Sequence, residues 1–196
     1  MPKPKPALRN IDPKQLFLHA TGFYRIEHIL GNIDIDKDPQ IGADIGSAAV
    51  VISALTSELF FKCLICIETG LVPRGHHLIY LFNQLSALTK RRIEEIWDKE
   101  VVPHREQHWQ QIETALGKPI KRDLASALDG GSTAFEKIRY SYEGNNSDVA
   151  FYISDLPRLL GRVIVELKPE FAHLRRPFSE VPKIPPGSEQ PLGSDK

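Results

Sequence analysis

Apolar residues along this chain recur every three to four positions and never alternate for long, so the pattern is that of amphipathic helices. Asp12 and Pro13 supply a helix cap and a first-turn proline. Leu16, Phe17, Ala20, Phe23, Ile26 and Leu30 then form one stripe, up to a stop at Gly31-Asn32. The segment IDIDKDPQIGADIG reads as a polar connector. A long apolar helix is expected from Ile45 to Thr69, ended by Gly70. After the turn LVPRG, Gly75-His76 opens a short helix, HHLIYLFNQL, whose stripe is Leu78, Leu81, Phe82 and Leu85, and this helix should pack back on its predecessor as a hairpin.

Two charged helices follow. Thr89 is expected to cap KRRIEEIWDKEVV, and Pro103 to begin PHREQHWQQIETAL, which stops at Gly117-Lys118-Pro119. Their narrow apolar stripes put them outside the bundle or on an excursion from it. Leu124, Ala125 and Leu128 suggest a short turn before Asp129-Gly130-Gly131, after which Ser132 would cap STAFEKIRYSYE. Val149 to Leu167 reads as the last long helix, which Pro157 either kinks or starts. The expected architecture is all-α: an up-and-down bundle of about five main helices with additional short ones. It occupies residues 12–176 as one domain, between a disordered tail at 1–11 and a disordered proline-rich tail at 177–196.

Composition narrows the partners. Twenty-five basic and twenty-five acidic residues cancel, so no global field draws the chain to polyanions, while a hydrophobic share of 41% suffices for a core. The N-terminal MPKPKPALRN lacks the apolar stretch of a secretory signal, and the apolar run Ala48–Ile67 is interrupted by Ser53, Thr56, Ser57, Glu58 and Lys62. A buried helix of a cytoplasmic protein with no membrane partner is the expectation. Cys63 and Cys66 lie three apart on that helix and read as reduced packing residues.

Glu58 and Lys62 carry the sharpest signal. At i, i+4 on an exposed helix such a pair contributes about 0.2 to 0.5 kcal/mol, too little to account for its place among Val51, Leu55 and Ile65. Buried charges require partners. Arg139 and Glu143 repeat the spacing later, so a four-charge cluster crosslinking two helices is expected, with Tyr140 or Tyr142 donating a hydroxyl.

The same residues carry a resemblance. Glu58-x3-Lys62 in an apolar helix, Gly75-His76-His77-Leu78, Leu81-Phe82-x-x-Leu85 and Ala134-Phe135-x3-Arg139-Tyr140-x-Tyr142-Glu143 follow one another over residues 45–145 in an order that resembles the HEPN-like helical-bundle proteins of prokaryotes and phages. The resemblance implies a four- to five-helix bundle, frequent dimerisation and, in several members, metal-independent ribonuclease activity. Nuclease members place a histidine four to six residues after the arginine. Here Gly144, Asn145 and Asn146 occupy those places, and an amide is no general base near neutral pH. Arg25 to His28 and Arg105 to His108 are too short, and His77 stands where similar proteins often have an acidic residue.

The functional expectation is therefore a noncatalytic, homodimeric HEPN-like interaction or RNA-associated module in phage defence or a stress response, with RNA or protein as partner and no cofactor. The alternative is a divergent metal-independent endoribonuclease using Arg139 and a non-motif histidine such as His76. A third reading gives the charged helices Arg91–Ala115 a docking role through an exposed stripe containing Trp97 and Trp109. His104 and His108 have i, i+4 metal spacing but no evident further ligands; Lys90-Arg91-Arg92, Lys121-Arg122 and Arg175-Arg176 read as solvated faces.

Overall fold

The structure, a computed structural model, describes residues 8–31, 39–139 and 153–175. Seven α-helices dominate these residues. Helices α1 (Pro13–Gly31) and α2 (Pro39–Thr69) are followed by α3 (Leu78–Asn83), α4 (Ala87–Ile96), α5 (Val102–Leu116), α6 (Leu124–Arg139) and α7 (Leu156–Leu167). The all-α expectation holds, with short helices beside the longer ones. One departure is a two-residue antiparallel ladder, β1 (Leu8–Arg9) against β2 (Leu71–Val72), in which Leu8 faces Val72. It ties down a stretch expected to be part of a disordered tail; residues 1–7 and 176–196 lie outside the described residues.

Helix α2 is the hub. It packs against α1, α3, α6 and α7, and Phe60, Phe61, Cys63, Leu64 and Ile65 bury it on several sides. That explains an apolar composition reaching round most of the helix. Among the described residues it is the one helix long and apolar enough to cross a membrane, and 61% of its apolar window is buried inside the protein. The Phe17 ring of α1 lies 5.8 Å from Phe60 and 5.2 Å from Phe171, which belongs to a 3-10 turn (Pro169–Leu174) after α7. Cys63 and Cys66 are free and buried, and their Sγ atoms donate to the Pro13 and Ile11 carbonyls at 3.3 and 3.4 Å. Burial pushes the Cys63 thiol up to about 12, with the neighbouring Cys66 adding to the rise.

Several boundaries move. Helix α2 begins six residues before Ile45, inside the expected connector, because Pro39 suits a first helical turn and Gly42 and Gly46 are tolerated beyond it. Ser86, not Thr89, is the cap of α4: its Oγ accepts from the Thr89 amide at 3.2 Å, and Glu68 of α2 accepts from the Ser86 amide at 2.9 Å. Pro103 does stand in the first turn of α5, and a π-helical turn (Trp97–Val101) carries the helical backbone from α4 into it. These two helices and the turn between them bury Ile93, Ile96, Trp97, Val101 and Trp109, so they belong to the core layer and present no exposed tryptophan stripe. Gly117, at φ 64°, ends α5 as expected.

Helix α6 runs unbroken through Gly130-Gly131. Asp123, not Ser132, holds its start: Asp123 Oδ1 accepts from the Ser126 amide at 2.8 Å. Ser132 faces another helix. Its Oγ accepts from the Leu78 amide at 2.8 Å and so caps the start of α3. Helix α3 consequently begins at Leu78 with His77 before it, and His76 lies in the preceding loop instead of inside the helix. Pro157 falls in the first turn of α7 and marks its start. Residues 149–152 lie outside the described residues.

Candidate functional site

Two polar constellations stand out. The first is the one read from the sequence. Glu58 is buried at 8% exposure on the apolar hub helix, where Lys62 Nζ, one turn on, donates to its Oε1 at 2.7 Å. From the loop before α3, His76 Nδ1 lies 3.0 Å from both carboxylate oxygens. Glu58, Lys62 and His76 therefore meet. The modest strength of an i, i+4 pair is supplemented by a second partner from another element, which is what a buried carboxylate requires. The His76 ring is 83% exposed, so the cluster is closed on its Glu58 side and open to solvent on its His76 side. The Arg139 side chain, Tyr140, Tyr142 and Glu143 lie outside the described residues, although the Arg139 backbone closes α6, which packs against α2.

The second constellation was not foreseen. Helix α1, the first half of α2, α5 and the start of α7 enclose a cleft of about 490 Å³. Its polar lining is Tyr24, Glu27, His28, Ser53, Arg105, Ser154, Asp155 and Arg158; Leu30, Ile45, Ala49, Val50 and Ile153 supply the apolar wall. Glu27 sets its chemistry. Ser53 Oγ donates to Glu27 Oε1 at 2.6 Å, while Oε2 is buried without a hydrogen-bond partner among the described residues. Burial pushes this carboxyl from its ordinary value near 4.5 up to about 7, the Ser53 bond opposing the rise and the Asp155 carboxylate adding to it. Burial also raises the Tyr24 hydroxyl, against the pull of Arg175 and Arg158.

Arg105 Nε donates to Asp155 Oδ2 at 2.5 Å, and Arg158 Nη2 stands 3.6 Å from Oδ1. The Arg105–Asp155 pair also borders a smaller cavity of about 220 Å³, lined by Trp97, Trp109, Ile112 and His108. It thus forms a partition between an open polar cleft and an aromatic pocket. Trp97 is fixed there by its Nε1, which donates to the Arg122 carbonyl at 2.9 Å.

The remaining candidates disperse. Among the described residues no group of three or more His, Cys, Asp or Glu side chains is placed to hold a metal ion, and His104 and His108 gather no third ligand there. The basic runs are largely engaged. Arg91 pairs with Glu95 at 3.0 Å, Arg92 with Glu166 at 2.8 Å, and Arg122 with Glu106 and Glu113 at 2.6 and 2.8 Å. Arg92 and Arg162 together hold the Glu166 carboxyl below the ordinary range. These are solvated ion networks at helix seams, each link contributing little by itself.

No family model, curated protein or solved structure matches this chain.

Proposed function

We propose that this chain is a noncatalytic HEPN-like bundle that self-associates as a homodimer and serves as an interaction or RNA-associated module. The observation supporting the reading is the meeting of Glu58, Lys62 and His76 across two elements, at the spacings on which the resemblance rests. Within this cluster the groups satisfy one another. Glu58 is bonded from two sides, and His76, the histidine nearest the motif set, lines neither cavity described above. A general base needs a substrate held against it, and a ring standing 83% in water on a loop has no walls to do so.

One observation favours the second reading, a divergent metal-independent endoribonuclease. Glu58 grips His76 through Nδ1 on a side chain 83% exposed, and a carboxylate bonded at one ring nitrogen is how an imidazole is oriented for proton transfer. Incubation with a mixed RNA pool separates the two. The module reading expects retention of RNA or a protein partner by a species of twice the chain mass in sedimentation, without cleavage. Cleavage by the wild type that is lost in both His76→Ala and Arg139→Ala would overturn it in favour of the nuclease.

A further inference from the structure

The cleft beside Glu27 is separate from the Glu58 cluster, and its charge selects its occupant. Arg105 and Arg158 bring two guanidiniums to the wall and Asp155 one carboxylate, while Glu27 is neutral below about 7. Two positive charges against one negative leave an excess of one positive charge on the acid side of neutrality. The two guanidiniums differ in how they are held. Arg105 is locked on Asp155 at 2.5 Å, whereas Arg158 stands 3.6 Å away with 48% of its side chain exposed. Its planar fork can therefore accept a further oxyanion. A cationic ligand would be served poorly, because Glu27 Oε2 is buried and Asp155 is already held by Arg105. The remaining wall is apolar, and a volume of about 490 Å³ suits a small molecule.

We infer that this cleft binds a small organic anion, with a singly charged oxyanion head, carboxylate or phosphodiester, on Arg158 and a compact apolar or aromatic body against Ile45, Val50 and Ile153. Binding is coupled to Glu27. Tyr24 and His28 of α1, Ser53 of α2, Arg105 of α5, and Asp155 and Arg158 at α7 line the cleft with that carboxyl, Ser53 bonding it directly. Its ionisation above about 7 cancels the excess positive charge, so affinity falls as the pH rises.

The test is a calorimetric titration of the full chain with phenylacetate and with methyl phenyl phosphate, both singly charged at pH 6 and at pH 8, beside benzylamine and benzyl alcohol. The two anions tell a carboxylate head from a phosphodiester head. Saturable one-site binding of either anion is expected, with the amine and the alcohol about tenfold weaker or worse. Arg158→Leu, and Arg158→Gln should the first variant fold poorly, is expected to weaken anion binding about tenfold. Affinity should drop several-fold from pH 6 to pH 8 in the wild type and stay level in Glu27→Gln, which separates Glu27 from His28. Amine binding as tight as anion binding, unchanged affinity in both Arg158 variants, or no saturation by either anion at millimolar concentration would each overturn the inference. None of these results touches the module reading, which rests on RNA or protein retention and on Glu58, Lys62 and His76.

Discussion

Glu27 costs the folded chain stability whenever it is ionised. Its carboxyl titrates near 4.5 in the open chain and at about 7 in the fold, so between those values the folded state holds more protons than the unfolded one. Stability is then present in full below about 4.5 and is lost as pH rises through 7, on the order of 3 kcal/mol in all. Glu27→Gln removes the ionisation and keeps an acceptor for Ser53. Thermal melts should therefore show the variant above the wild type at pH 8, with the gap closing toward pH 5; a gap independent of pH would refute the assignment. This residue was hidden in the sequence for a physical reason. The row from Phe17 and Ala20 continues at helical spacing either to Phe23 and Ile26 or to Tyr24 and Glu27, and hydrophobicity favours the first. The fold takes the second, leaving Ile26 44% exposed and turning a carboxyl inward. Glu58 was legible because its apolar neighbours lie all round it.

Helix α6 shows where element-level reading succeeds and fails. Glycine pairs punctuate chains because they relax the backbone, so Gly130-Gly131 read as a break. At Gly131, however, the missing side chain creates room for neighbours. A Cβ there would lie 2.7 Å from Leu78 Cδ1 and 3.0 Å from Ile153 Cγ2, both of fully buried residues. The glycine lets α6 approach α3 closely enough for Ser132 to reach the Leu78 amide. Gly131→Ala would gain up to about 1 kcal/mol in helix propensity. Overpacking costs typically about 1 to 3 kcal/mol and should outweigh it. Denaturant titration is expected to find the variant less stable by about 1 kcal/mol; a more stable variant would mean that Leu78 and Ile153 give way freely. Caps and stops with local causes, such as Asp12, Gly31 and Gly117, were read correctly from the sequence. Features whose partner is distant in the chain, such as Ser132 capping α3 across 54 positions, were not. The Glu58–Lys62 pair was legible as a local i, i+4 spacing, whereas its His76 partner comes from another element and the Glu27 cleft needs four helices to come together before it exists.

At the scale of the whole molecule, the residues just before α1 close the fold. Leu8 and Arg9 pair with Val72 and Leu71 beyond the far end of α2, the Ile11 carbonyl accepts from Cys66, and Asp12 Oδ1 caps α1 through the Lys14 amide at 2.8 Å. Together they fasten the start of α1 to the C-terminal half of the hub helix. Because α1 also forms one wall of the cleft, its anchorage should reach Glu27 through the rigid helix. A chain beginning at Pro13 loses the ladder, one thiol bond and the cap, while a chain beginning at Leu8 keeps all three. The cap alone contributes about 1 kcal/mol, and a loss of one to two kcal/mol lowers the melting temperature of a domain this size by about 2 to 8 °C. The shorter chain should melt lower by that margin and react faster with a thiol reagent at Cys66. Amide exchange should quicken along α1 as far as Glu27, since a helix freed at one end opens as a unit. Equal melting temperatures for the two chains would show that residues 8–12 merely lie against the bundle and that α1 is held by Phe17 and Ala20 alone.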